Sequence, residues 1–282
     1  MRILFVGDIY GRPGREAVGH FVPLLRKEAG VDFAIGNVEN AAGGRGLTEP
    51  VAKELFAAGL DVFTLGNHTW DRKETLPLLE DPRILRPANY PPGLPGRGWG
   101  VFPVNGKRVA VLQLMGRLHL DTIDCPFRAA DGLLKELAAD MVIVDMHAEA
   151  SSEKQAMGWY LDGRVAAVLG THTHVQTADE RVFPGGTAYI GDVGMAGPRD
   201  GIIGGDRAPA LQRFLSGVKV RLAVAEGDAQ FCAVIVDVDE TTGRARSIER
   251  IFKPFERKRM ELKNPSQRLD PGLRRDDGER SL

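Results

Sequence analysis

The chain has 282 residues, of which 43% are hydrophobic and 27% are charged, a composition typical of a globular protein with one large or two small domains. Its formal net charge of −1 gives no overall attraction to nucleic acid or to an anionic membrane. The two cysteines do not make a disulfide framework and no apolar run approaches the ~20 residues of a membrane span, so we expect a cytoplasmic protein without a membrane segment.

Three strand–loop–helix units fill the first part of the chain. Short apolar runs predict strands at residues 2–7, 32–36 and 61–65, and helical spacing of apolar side chains predicts helices at 15–29 and 48–58. Alternation of strands and helices favours a sheet with helices packed on its faces. This part of the chain is therefore predicted to be α/β.

The rest of the chain continues this pattern and then becomes richer in antiparallel strands. The predicted elements, in chain order, are a hairpin of strands 100–104 and 108–114, a helix at 131–139, a strand at 141–145, a helix at 151–161, strands at 165–169 and 187–191, a loop at 194–205, a helix at 206–215, a hairpin of 218–225 with 229–238, and a strand at 246–252. This order predicts an α/β fold of two packed, mostly mixed β-sheets flanked by helices.

The composition changes at residue 256. Of the 27 residues from 256 to 282, 14 are charged, and only a few scattered residues are apolar. Such a segment cannot bury enough apolar surface to order itself. We therefore predict one domain over residues 1–255 and a charged, disordered tail over 256–282.

Polar side chains stand where the predicted apolar strands end. These side chains are Asp8, Glu39, Asn40, Asn67, His68, His147, His172 and His174. If the strands belong to one sheet, as we predict, their carboxyl ends meet at one edge and the polar groups converge there. Two carboxylates, two amides and three imidazoles could then hold two divalent cations about 3.5–4 Å apart and leave the fourth imidazole free. The alternative for any single cluster is turn capping, which Asp and Asn also favour.

The same residues stand in motifs that resemble those of the calcineurin-like metallophosphoesterases. The matching segments are Gly7-Asp8, Gly66-Asn67-His68, the isolated His147 and Gly170-Thr171-His172-Thr173-His174. That superfamily usually has Asp-x-His in its first motif and Gly-Asp-x-x-Asp in its second. This chain has Asp8-Ile9-Tyr10 and Gly36-Asn37-Val38-Glu39-Asn40 there. Both departures resemble the YmdB-like branch, whose members are bacterial 2′,3′-cyclic-nucleotide phosphodiesterases.

The resemblance implies a metallophosphoesterase-like αββα sandwich. It also implies a dimetal phosphodiesterase that acts on 2′,3′-cyclic nucleotides such as 2′,3′-cAMP, in which a metal-bound hydroxide attacks phosphorus. Carried over to this chain, one cation is held by Asp8, Glu39, Asn40 and His174. The other is held by Glu39, Asn67, His147 and His172. Glu39 thus bridges the two cations, and His68 is the proton donor. A ligand set rich in oxygen and imidazole, without thiolate, favours iron or manganese.

Other interpretations remain open at this point. A phosphomonoesterase or nucleotidase is the closest alternative enzyme, and a non-catalytic, metal-bound regulatory scaffold is the alternative from another class. The expected partner is a small cyclic nucleotide or other phosphoester, and the resemblance also allows a homo-oligomer. Three nearby side chains have two interpretations each: Tyr10 contacts substrate or packs, Arg45 contacts phosphate or is solvated, and Trp70 stacks on a base or belongs to the core.

Overall fold

The computed structural model describes residues 1–257 of the chain. The predicted tail therefore lies outside the described residues except for its first two positions. Of these two, Arg257 contacts the domain, because its Nε donates to Glu16 Oε2 at 2.6 Å. The domain boundary after residue 255 and the disorder of the tail stay predictions.

The described residues form five α-helices and fourteen β-strands. The strands are β1 (Arg2–Val6), β2 (Asp8–Ile9), β3 (Phe33–Asn37), β4 (Val62–Thr64), β5 (Ile84–Leu85), β6 (Trp99–Val104), β7 (Lys107–Met115), β8 (Met141–His147), β9 (Ala167–Thr171), β10 (Arg181–Val182), β11 (Ala188–Ile190), β12 (Met195–Pro198), β13 (Ala229–Val238) and β14 (Ala245–Phe255). The helices are α1 (Gly11–Glu28), α2 (Glu49–Ala57), α3 (Pro126–Glu136), α4 (Ser151–Tyr160) and α5 (Arg207–Ser216), with a 3₁₀ helix at Lys73–Glu80. Between residues 1 and 257, no helix is both long and apolar enough to cross a membrane.

The strands form two mixed sheets. The eight-stranded sheet has the order β2-β12-β13-β1-β3-β4-β5, with β14 also paired to β13. In this sheet β1, β3, β4 and β5 are parallel, while β13 runs antiparallel to β1 and β14. The six-stranded sheet has the order β10-β11-β9-β8-β7-β6, in which β7, β8, β9 and β11 are parallel and the two edge strands are antiparallel.

Alternating side chains explain why the sheets pack face to face. Ile3 and Phe5 of β1 join an apolar cluster that also contains Val111 and Ile143 of the smaller sheet. The intervening Leu4 belongs to a second cluster, which packs α1 and α2 on the outer face of the larger sheet. A third cluster packs α3 and α4 on the outer face of the smaller sheet. The layers therefore run helix, sheet, sheet, helix, and the predicted αββα sandwich is confirmed.

Two local predictions in the last third of the chain are wrong. Residues 218–225 do not pair with β13, which is flanked instead by β14 on one side and by β1 and β12 on the other. The predicted loop at 194–205 contains β12. Burial explains the first difference, because β13 is largely buried along its length whereas most of 218–225 is exposed or only partly buried.

The prediction that all polar strand ends share one sheet is also wrong. Asp8, Glu39 and Asn67 follow strands of the larger sheet, whereas His147 ends β8 and His172 follows β9 in the smaller sheet. The carboxyl ends of the parallel strands of the two sheets lie side by side. The predicted convergence of the polar groups therefore occurs between two sheets rather than along one edge.

Candidate metal centre

A cluster of largely buried polar side chains lies where the carboxyl ends of the two sheets meet. The structure brings together all the predicted residues: Asp8, Glu39, Asn40, Asn67, His68, His147, His172 and His174. The cluster opens into a cleft of about 1190 Å³. A buried set of ligand-type groups beside an open cleft is the arrangement expected of a catalytic centre.

Glu39 is at the centre of the cluster, and only 1% of its surface is exposed. Its Oε1 lies 3.2 Å from His147 Nε2, and its Oε2 accepts the backbone N–H of His68 at 2.9 Å. Ligand atoms of Glu39, His147 and His172 all lie within 4.8 Å of one another. Groups this close together can share one cation.

The neighbours of His147 determine which of its ring nitrogens faces the cluster. The Thr171 hydroxyl donates to Asp145 Oδ1 at 2.6 Å, so its oxygen is left to accept from His147 Nδ1 at 2.9 Å. With the proton on Nδ1, the neutral ring carries its lone pair on Nε2, which lies 2.9 Å from Asn67 Oδ1. Imidazoles oriented through such a hydrogen bond to a carboxylate network are typical metal ligands.

The other two imidazoles also have polar neighbours. His172 Nε2 lies 3.1 Å from Glu149 Oε2, and its Nδ1 lies 3.1 Å from His147 Nε2. His174 Nδ1 donates to the Ile203 carbonyl at 2.8 Å, which leaves the lone pair on Nε2. In their neutral forms the His147 and His174 rings direct a lone pair into the cluster, and His172 Nδ1 faces His147 Nε2.

Asp8 and Asn40 complete the cluster next to His174. Asp8 Oδ2 accepts the backbone N–H of His172 at 3.0 Å, and Oδ1 lies 3.8 Å from His174 Nε2. The Asn40 side-chain nitrogen lies 3.3 Å from the same His174 atom and donates to Glu39 Oε1 at 3.2 Å. Among residues 1–257, Asp8 Oδ1 has no hydrogen-bond partner although it is buried. A buried carboxylate oxygen without a partner is costly, and a bound cation would give it one.

Burial and neighbouring charges shift the pKa values of the groups in the cluster. Burial would lower the pKa of His147, but the negative charges of Glu39 and Asp8 dominate and raise that pKa to about 9. Burial alone would raise the pKa of Glu39, but the charge and the hydrogen bond of His147 hold that pKa below its usual value. Burial raises the pKa of Asp8, and raises that of Asp145 to about 7. Burial and the nearby His147 charge lower the pKa of His172 to about 3, so that ring is neutral.

Two further observations show that the cluster fits a cation. Over the described part of the chain, neither Asp8 nor Glu39 forms an ion pair with Lys or Arg, so no such side chain balances the two carboxylates. A Cβ at Gly66 would lie 2.3 Å from His147 Nε2 and 2.5 Å from Glu39 Oε2, so the ligand atoms can converge only beside a glycine. Carboxylate, amide and imidazole groups without thiolate suit hard to borderline divalent cations.

Three carboxylates beside these side chains were not predicted from the sequence. Asp145 accepts from Thr171, Glu149 Oε2 lies 3.1 Å from His172 Nε2, and Asp71 Oδ2 lies 2.9 Å from the Nδ1 of His68. Asp145 could have been found, because a carboxylate inside the otherwise apolar β8 is costly unless it has a role. Glu149 and Asp71 carry no such signal, since acidic residues in loops are common.

A buried ion pair supports the loop that carries His172 and His174. Lys154 Nζ donates to Asp192 Oδ2 at 2.7 Å, with the two side chains 2% and 1% exposed. The same oxygen accepts the backbone N–H of Thr173 at 3.0 Å and its hydroxyl at 2.7 Å. The flanking His172 and His174 have φ values of 101° and 66°, in a region that side chains other than glycine rarely adopt. The ion pair therefore holds a strained loop in place.

The variant Lys154→Met is expected to lower the free energy of unfolding by about 3–5 kcal/mol, because Asp192 would remain buried without its cation. It is also expected to weaken cation binding by roughly 10–100-fold, since the loop loses its support. Thermal denaturation and a cation titration measure the two effects. The control is the double variant Lys154→Met/Asp192→Asn, which lacks the unpaired charge and should regain stability but not affinity. Unchanged cation affinity in the single variant would contradict the supporting role.

The structure also places the three side chains that had two interpretations. The Tyr10 ring packs edge-on against the His174 ring with centroids 5.5 Å apart. Arg45 lines the cleft and lies 3.4 Å from Asp71, so phosphate contact stays open for it. Trp70 packs against the core on the helix-covered side of the larger sheet, which favours its core interpretation.

The sandwich architecture is that of the metallophosphoesterases, and with this centre it defines the chain as an enzyme of the phosphoesterase class. The chain belongs to the YmdB-like family, whose model, described as "YmdB-like protein", matches residues 4–251. A crystal structure of a hypothetical protein from Thermus thermophilus is 46% identical, with a TM-score of 0.87, over 90% of this chain and 100% of that chain.

Two relatives with more informative names are also similar. The crystal structure of a novel phosphatase from Mycoplasma pneumoniae is 33% identical, with a TM-score of 0.87, over 91% of this chain and 94% of that chain. The 2′,3′-cyclic-nucleotide 2′-phosphodiesterase of Bacillus subtilis (strain 168) is 51% identical over 255 residues, which are 89% of this chain and 97% of that protein. The family resemblance predicted from the motifs is confirmed.

Proposed function

We propose that the chain is a dimetal phosphodiesterase that hydrolyses 2′,3′-cyclic nucleotides such as 2′,3′-cAMP. The observation that carries the proposal is the convergence of three imidazoles and two buried carboxylates at one cleft, with His68 beside them. The name of the B. subtilis relative supports the choice of a 2′,3′-cyclic nucleotide as substrate.

The proposed ligands fall into two sets that share one carboxylate. The first set is Asp8, Glu39, Asn40 and His174. The second set is Glu39, Asn67, His147 and His172. The central position of Glu39, whose two oxygens contact different neighbours, supports its role as the bridge. Because the ligand atoms are carboxylate, amide and imidazole, we propose iron or manganese as the native metal.

The chain's own residues would position the substrate and move one proton. When bound, the two cations would activate a water molecule and neutralise charge on the phosphoryl group. His68 lies beside this point, because its backbone N–H donates to Glu39. Its Nδ1 lies 2.9 Å from Asp71 Oδ2, which fixes the ring and leaves Nε2 to give a proton to the departing ribose oxygen. Its side chain is 24% exposed, so it can reach a substrate in the cleft.

The first experiment combines metal analysis with a comparison of substrates. After reconstitution with Mn²⁺ or Fe²⁺, we expect elemental analysis to give two cations per chain, and we expect 2′,3′-cAMP to be hydrolysed. Nitrophenyl phosphate, a monoester, serves as the comparison. Fewer than one cation per chain would contradict the dimetal centre. Faster turnover of the monoester would favour the phosphomonoesterase alternative, and no turnover of either substrate would favour the regulatory scaffold.

The variant Asn40→Ala is expected to weaken one cation selectively, by roughly tenfold or more, because no other group of the first motif can replace the amide oxygen. Binding isotherms for both cations and metal analysis at limiting concentration measure the effect. Asn89→Ala is the matched control, because Asn89 is another buried amide that bonds to backbone carbonyls away from the centre. If Asn40→Ala binds two cations with unchanged affinity, Asn40 is not a ligand, and Tyr10 of the first motif becomes the candidate in its place.

Cytoplasmic location and assembly into homo-oligomers stay predictions. Both cysteines among the described residues, Cys125 and Cys232, are free, which suits a reducing compartment.

A further inference from the structure

The cleft beside the metal centre is larger than one cyclic nucleotide requires. Its volume of about 1190 Å³ exceeds the range of about 300–1,000 Å³ that is usual for small-molecule sites. Side chains from α5 and from the segment after it line the same cleft as Asn40, His68 and His174. Part of the cleft is therefore available to a group attached to the reacting one.

Two arginines line this cleft without a carboxylate partner. Arg213 on α5 and Arg221 after it are exposed, and neither forms an ion pair with any residue in 1–257. The other arginines of the cleft are engaged, because Arg45 pairs with Asp71 and Arg72 donates to two backbone carbonyls. Arg213 and Arg221 therefore keep their charges available for an anionic ligand.

A cyclic mononucleotide does not supply an anion to these arginines. It has a single phosphate, and the proposed reaction requires that phosphate at the metal centre. In an RNA strand, by contrast, every nucleotide on the 5′ side of a terminal cyclic phosphate adds another phosphate and another base. The bases could contact Val220 and Leu222, which line the same cleft. The overall charge of −1 does not oppose this binding, because Arg213 and Arg221 line the cleft itself.

We infer that the preferred substrate is a short RNA strand that ends in a 2′,3′-cyclic phosphate, with its 5′-side phosphates at Arg213 and Arg221. This inference rests on the proposed function, since it takes the cyclic phosphate as the reacting group. The chemistry is unchanged: the oxygen of water bonds to phosphorus, one ribose oxygen leaves and takes a proton, and a terminal phosphomonoester remains.

The test compares kcat/KM for 2′,3′-cAMP and for a triadenylate with a 2′,3′-cyclic phosphate end. We expect the trinucleotide to have the higher kcat/KM, by about tenfold per phosphate contact. Arg213→Gln and Arg221→Gln should each remove about tenfold of this advantage and leave 2′,3′-cAMP within about twofold. Each contact should also make the slope of log kcat/KM against log salt concentration more negative by about 0.7. The matched control is Arg207→Gln, an exposed arginine at the other end of α5 that does not line the cleft.

The outcomes separate this inference from the proposed function. Hydrolysis of 2′,3′-cAMP with no advantage for the trinucleotide would overturn the RNA inference and leave the proposed function standing. An advantage that survives both arginine variants, or losses that are equal on both substrates, would also overturn it. Failure to hydrolyse either substrate in the metal-loaded enzyme would overturn both.

Discussion

Glu39→Gln is expected to leave the chain with neither cation and to lower kcat for 2′,3′-cAMP by at least about a thousandfold. Glu39 is the one carboxylate that both proposed ligand sets share, and it lies within reach of His147 and the His68 backbone. A glutamine has nearly the same shape but no charge to offset that of two cations. The loss should therefore be one of metal binding rather than of folding.

Metal analysis, circular dichroism and thermal denaturation together measure this effect. Glu153→Gln is the matched control, because Glu153 is another buried carboxylate, which accepts the backbone N–H of Arg117 away from the centre. The control can lose stability, but it should keep both cations. If Glu39→Gln still holds two cations with affinities close to those of the parent, Glu39 is not the bridge.

His68→Ala is expected to keep both cations and to lower kcat for 2′,3′-cAMP by about 10²–10⁴-fold, which is the usual contribution of a general acid to the rate. The loss should depend on the leaving group. A ribose alkoxide is a poor leaving group that needs a proton, whereas a nitrophenolate is a good one that does not. We therefore expect a much smaller loss on bis-nitrophenyl phosphate, measured under the same metal loading.

Asp71→Asn provides the companion variant, because Asp71 contacts His68 without contacting the other proposed ligands. It should show the same dependence on the leaving group with a smaller loss, since it only orients the ring. Equal losses on both substrates in His68→Ala would indicate a histidine that stabilises phosphoryl charge. Loss of a cation in that variant would indicate a ligand and would end the proton-donor role.

The sequence patterns correctly predicted those elements whose formation depends on neighbouring residues in the chain. The apolar runs that became β1, β3 and β4 are short, continuous and closed by polar residues, so their ends were readable to within one or two positions. The predicted hairpin of strands 100–104 and 108–114 is the observed β6–β7 hairpin, whose turn residues Asn105 and Gly106 both have the positive φ that such a turn requires. Local chemistry was sufficient in each case.

The wrong predictions concern residues whose pairing partners lie far away in the chain. Residues 218–225 alternate like a strand, but β13 has its partners in β1 and β14 instead. Likewise, the candidate ligands could be recognised by residue type, but not their distribution over two sheets. The positions of Glu149 beside His172 and of Asp71 beside His68 could be assigned only from distances. Their roles depend on ring orientation, which has no trace in residue spacing.

The position of the centre between two separate sheets has a consequence for assembly of the native chain. The backbone N–H of His172 reaches Asp8 across 164 residues of sequence. Closing so long a loop costs configurational entropy, which must be recovered by contacts made late in folding. A cation that binds only when both sheets are in place would act as a cross-link between them, and its binding free energy would add to the cohesion of the two halves. Metal supply would then govern how long the native chain survives as well as how fast it works.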